Sequence, residues 1–174
     1  MGRVASRTAD PGLWTTSDRV VAGCHGVGMT MTPPLAHVPI RSADELTGRW
    51  TLLLDPPVFG ARSLWLSWVG ADGRMLPVVI PVDDLPGVPK PALVMNLREV
   101  HDSIVGEHLG GEGHLAMALC RPGDARIAED DDEWAEALRS TLDDGQIDGS
   151  WSLHLAAGGS VVPLVPAPSW LWGR

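Results

Sequence analysis

Apolar positions recur along this chain with two different periods. Between residues 42 and 54, Leu46, Trp50 and Leu53 share one helical face, and Ser42 with Glu45 fits a capping box at its start. Asp55-Pro56-Pro57 ends that helix, because proline disfavours helix in the residue before it. Ser63–Val69 and Met75–Val82 then read as two strands joined across Gly70-Ala-Asp-Gly73, with Asp72-Gly73 as the hairpin signal. Pro77 and Pro81 cannot donate to a ladder, so the second strand is expected at a sheet edge or interrupted. Asp83–Pro91 holds three prolines and reads as a loop.

The helical period returns at Asn96–Leu109, with Asn96 as N-cap, an apolar stripe of Leu97, Val100, Ile104, Val105 and His108, and Gly110-Gly111 as the stop. His114–Cys120 is nearly all apolar, as in a central strand buried on both faces. Arg121-Pro-Gly-Asp124 is a turn. Glu129–Leu142 predicts a third helix whose inward face is Trp134, Ala137, Leu138 and Thr141. Trp151–Ala157 and Val161–Val165 pair across Gly158-Gly159. Helix, hairpin, helix, strand, helix, hairpin predicts an α/β (α+β) fold, a mixed sheet with helices on its faces.

Residues 1–40 lack sustained periodicity and read as a disordered tail, or as an overrun of the natural start at Met29 or Met31. The single domain is placed at 41–165, followed by a tryptophan-containing tail at 166–174.

Composition narrows the partners. Net charge is −9, from 13 Lys plus Arg and 22 Asp plus Glu, and Lys90 is the one lysine. Phosphate binding needs clustered cations, so neither nucleic acid nor an anionic membrane is an expected partner. No apolar run approaches the roughly 20 residues of a membrane span. Two cysteines, Cys24 and Cys120, make a disulfide framework unexpected and a reducing cytoplasm the default. Eight tryptophans, against one phenylalanine and no tyrosine, supply the large aromatic packing.

Three local features resemble the JAB (MPN) domain, in its RadC-like branch, over about residues 42–165. The hairpin Ser63–Val82 precedes a loop and Leu97-Arg-Glu-Val-His101. The strand Leu115–Leu119 runs into Cys120-Arg-Pro-Gly-Asp124, which is similar to the family's His-Asn-His-Pro-Ser-Gly-Asp turn with its histidines gone. Ile127-Ala-Glu-Asp-Asp131 looks like the family's Pro-Ser-x-x-Asp. The resemblance implies a JAB/MPN-like fold, with a cytidine-deaminase-like layer arrangement as a related form. In that family two histidines and an aspartate hold zinc, and an upstream glutamate acts on its water. Here Leu119 and Arg121 stand at the histidine positions, Ala128 replaces a serine, and Arg62-Ser-Leu-Trp65 has no acid; Asp131 remains. Without a one-residue deletion in the turn, the matching pair is Glu129 and Asp132. The expectation is a degenerate, non-enzymatic relative with no catalytic residue, no metal and no cofactor. It would act by binding a protein or by self-association.

The residues with chemistry divide between two readings. Arg121, Asp124 and Asp131 are candidate ligand contacts in a vestigial pocket, and a metal-independent enzyme or small-ligand site there is the alternative. The plainer reading is an Arg121–Asp124 pair bracing the tight turn, which is preferred. The run Glu129–Glu133 lacks the alternation of a calcium loop and reads as a solvated helix start. His101 and His108 are expected at the edge of a core stripe, and His154, in Ser152-Leu-His-Leu155, as a structural feature. Cys120 reads as a buried hydrophobe and not a nucleophile, and Cys24-His25-Gly-Val-Gly28 as chance. Trp65 and Trp68, three apart on a strand, are expected on opposite faces. Trp170 and Trp172 are a candidate interface, or dock back on their own domain.

Overall fold

The computed structural model describes residues 33–143 and 149–172. Helix α1 (Ala43–Leu53) leads into β1 (Ser63–Gly70) and β2 (Ile80–Val82). Helix α2 (Pro91–His108), β3 (Gly113–Cys120) and α3 (Glu129–Leu142) follow. A hairpin of β4 (Ser150–Ala157) and β5 (Ser160–Val165) and a 3-10 turn, Ser169–Trp172, are the last elements among the described residues. The five strands form one sheet in the order β2-β1-β3-β4-β5. β3 and β4 run parallel, and every other neighbouring pair is antiparallel. The expected α+β architecture, a mixed sheet between helical layers, is the observed one.

The pleat sends alternate side chains to two separate cores. Leu64, Leu66, Trp68, Leu115, Met117, Leu119, Trp151 and Leu153 pack under α2 and α3 with Leu97, Trp134 and Leu138. Val69, Ala116, Ala118, Cys120 and Ala156 face Leu46, Trp50 and Leu54 of the α1 layer. Trp68 is fully buried on the first side, and Trp65 packs half-buried on the second, as the strand period requires. The strands present mainly small side chains to α1, Ala116, Ala118, Cys120 and Ala156.

The helix starts show where local chemistry decides. Ser42 Oγ accepts from Glu45 N at 3.1 Å, and Glu45 Oε2 accepts from Arg41 N at 2.8 Å, a capping box at α1. Helix α2 begins at Pro91 with Lys90 as N-cap, not at Asn96, which is exposed within it. Proline is suited to the first helical position because its missing N–H would have no partner there. Pro91 therefore opens the helix although Pro86 and Pro89 belong to the loop. The α2 stripe is also shifted: Val94, Leu97, His101, Ile104 and Val105 are buried and His108 is exposed. On α3, Ala135 and Leu142 are buried where Ala137 and Thr141 were expected.

Three further differences concern the margins. β2 is three residues long, and Val69 and Met75 form an isolated bridge before it. The interruption falls at Pro77, and β2 lies at the sheet edge as expected. Residues 33–40, assigned to the tail by sequence, pack on α1: Ile40 is buried, and Arg49 donates to the carbonyls of Pro34, Leu35 and Val38. The tail reading of residues 1–32, with Cys24-His25 and the alternative starts, lies outside the described residues. At the β4–β5 turn Gly158 and Gly159 have φ of 55° and 82°, the positive pair a two-residue hairpin turn needs.

Candidate functional site

Arg121 follows the last residue of β3, and its side chain turns toward the first turn of α3. All five of its N–H groups are committed. Nε donates to Asp131 Oδ1 at 2.8 Å and Oδ2 at 3.1 Å. Nη2 donates to Asp131 Oδ2 at 2.7 Å and to the Arg126 carbonyl at 2.8 Å. Nη1 donates to the carbonyls of Pro122 and Asp124, at 3.0 and 2.9 Å. A turn with glycine at φ 93°, Gly123, wraps its carbonyls around the guanidinium.

Asp131 is the third residue of α3 and is fully buried. It also accepts from Ala128 N at 2.9 Å, satisfying the N-cap amide as the third residue of a capping box does. Burial pushes its carboxyl pKa up, but the Arg121 and Ala128 hydrogen bonds and the charges of Arg121 and Arg62 outweigh that and hold it below the usual carboxylate value. The hydrogen bond to Asp131 in turn raises Arg121. Asp131 is thus the buried exception in an otherwise solvated acidic helix start.

One residue not singled out as a candidate from the sequence joins this corner. Arg62, just before β1, donates through Nη2 to Asp130, and its Nη1 lies 3.6 Å from Asp131 Oδ1. The signal was present as an arginine preceding a strand that neighbours β3, but only the pairing of β1 with β3 brings it to α3. Asp124 turns outward, where Oδ1 accepts from Arg126 N at 3.0 Å. Of the three candidate contacts, Arg121 and Asp131 therefore face each other and Asp124 faces solvent.

The opposite end of the sheet holds a second polar group. On the α1 side, His114 Nδ1 lies 2.8 Å from Ser150 Oγ and Nε2 lies 2.8 Å from Ser152 Oγ. His154 Nε2 lies 3.0 Å from Thr47 Oγ1 on α1. Burial, with the neighbouring charges of His154 and His101, pushes His114 down to about 3. Burial likewise pushes His154 down to about 4. The Ser150–His114–Ser152 chain ties β3 to β4, and burial holds its imidazole below the range in which a general base works best near neutral pH. The sequence signal was the period-two alternation of Ser150, Ser152 and His154 with Trp151, Leu153 and Leu155.

The remaining candidates have structural surroundings. His101 Nδ1 accepts from Trp68 Nε1 at 3.2 Å inside the first core. Burial pushes the Cys120 thiol up to about 12, away from the thiolate a nucleophile needs. Trp172 is half-buried against the α1-side core, and the Trp170 side chain lies outside the described residues. Among the described residues no three His, Cys, Asp or Glu side chains converge to hold a metal ion. No helix among them is long and apolar enough to cross a membrane.

Comparison with known families, with curated proteins and with solved structures finds no match to this chain.

Proposed function

We propose that this chain is a JAB (MPN)-like domain without the family's peptidase chemistry, acting by binding protein, a second copy of itself included. The observation that carries the reading is the mutual saturation of Arg121 and Asp131. Leu119 and Arg121 lie on the side of β3 that α3 covers, with Asp131 across from them. These are the positions at which the resemblance aligns two histidines and an aspartate. The zinc it implies does not fit them. Leucine offers no ligand atom, the guanidinium is permanently cationic, and the remaining carboxylate already accepts from Arg121 and Ala128. The order helix, hairpin, helix, strand, helix, hairpin also supports the relation. The buried free thiol of Cys120 suits a reducing compartment such as the cytoplasm.

Elemental analysis of protein purified from zinc-supplemented cells tests this. The expected result is zinc far below one atom per chain. One zinc per chain, retained through dialysis, overturns it.

A further inference from the structure

The outer face of α1 carries charges that its own helix does not use. Glu45, Gly48 and Leu52 recur at spacings of three and four and form one exposed stripe on α1, with exposed Arg41 before its N-cap and exposed Asp55 after its C-cap. At the centre of the stripe, a Cβ on Gly48 would meet nothing within 4 Å. Leu52 is 55% exposed and Val38 39% exposed. They share a groove of about 630 Å³ with Pro39, Gly48 and Thr51.

Arg41 stands just before the N-cap and Asp55 just after the C-cap, seven residues on either side of Gly48. Each has the sign that the α1 dipole disfavours at its end. Neither the guanidinium nor the carboxylate has a hydrogen-bond or ion-pair partner among the described residues. An antiparallel second helix reverses both relations. A two-fold axis at Gly48 sets each Arg41 against Asp55 of the second copy, twice over, and lowers each Leu52 toward the opposite groove. The small central residue lets the two helices approach closely. The other helical layer is unsuited to self-docking, because Glu129, Asp132 and Glu133 are exposed there and would meet like charges on a second copy.

We propose that two copies of this chain dock α1 against α1, antiparallel about Gly48. The inference specifies the self-association arm of the function proposed above and rests on it. Sedimentation equilibrium of the full chain over a concentration series is the test. Expected is a two-chain mass at high concentration that weakens with added salt. Gly48→Leu, which has room in the single chain and raises helix propensity, should raise the dissociation constant tenfold or more. Arg41→Asp and Asp55→Arg should each weaken association, and the combined swap should restore it. A one-chain mass at every concentration, or a dimer indifferent to Gly48→Leu, overturns the proposal. A zinc-free monomer would sink this dimer and leave the proposed function standing, whereas a zinc-bound dimer would do the reverse.

Discussion

Arg121 at the end of β3 and Asp131 in the first turn of α3 are ten residues apart, yet they meet through three N–H···O contacts of 2.7 to 3.1 Å. Asp131 is fully buried and Arg121 is 7% exposed. The pair sits between the carbonyls of a tight turn and the open start of a helix. It therefore closes two sets of unsatisfied backbone groups as well as neutralising its own charges.

Removing both partners should cost less than the two separate removals added together. Asp131→Leu leaves a buried guanidinium without its counter-charge and should destabilise the fold by about 3 kcal/mol. Arg121→Met strands the carboxylate and should cost a similar amount. Arg121→Met with Asp131→Leu should cost less than the sum of the single changes, because each deletion removes the other's penalty. Urea unfolding of the four proteins checks this. Additive losses would show that the two side chains act independently.

Stability should fall with acid in a window set by two histidines. His114 and His154 are held near 3 and 4 in the folded chain, against about 6.5 when unfolded. The unfolded chain binds more protons between those values, so stability is full above about pH 6.5 and declines as pH falls toward 4 and then 3. Each histidine adds a slope of about 1.4 kcal/mol per pH unit inside its window. Asp131, held low, works in the same direction at the acid end. Urea midpoints between pH 7 and 4 should therefore drop steeply, and His114→Asn should flatten the curve. A flat wild-type curve would contradict the buried neutral imidazoles.

Two adjacent glycines should respond differently to a methyl group. Both have positive φ, so alanine costs about 1 kcal/mol at either from backbone conformation alone. At Gly159 nothing lies within 4 Å of the added Cβ, whereas at Gly158 it would come within 2.9 Å of Asp124 Cα and 3.0 Å of the Gly123 carbonyl oxygen. Gly158→Ala should therefore lower the melting temperature by more than Gly159→Ala does. Equal shifts would mean that the Arg121–Asp124 turn yields freely.

The regular elements were legible where one physical signal dominated. The Ser42–Glu45 box, the apolar run of β3 and the Gly158-Gly159 turn each locate an element to within a residue or two. The start of α2 was not legible, because a proline after two loop prolines reads as more loop unless the N1 exception is weighed. At the corner, sequence supplied Arg121 and Asp131 and the idea of a braced turn. It paired Arg121 with the wrong aspartate in the turn reading, since spacing favours Asp124 and only the packing of α3 presents Asp131. Arg62 entered through strand pairing, which no local pattern encodes. The His114 and His154 pockets were hidden for the same reason: their partners stand on neighbouring strands or on α1.

The two rims of the sheet have a consequence for assembly. β2 carries Pro81 and β5 carries Pro163, so an incoming strand would find an amide hydrogen missing at either margin. Lateral polymerisation into a continuous ribbon is thereby discouraged at both ends. Encounters between chains are left to side-chain surfaces, where a contact can close on itself and stop at a finite size.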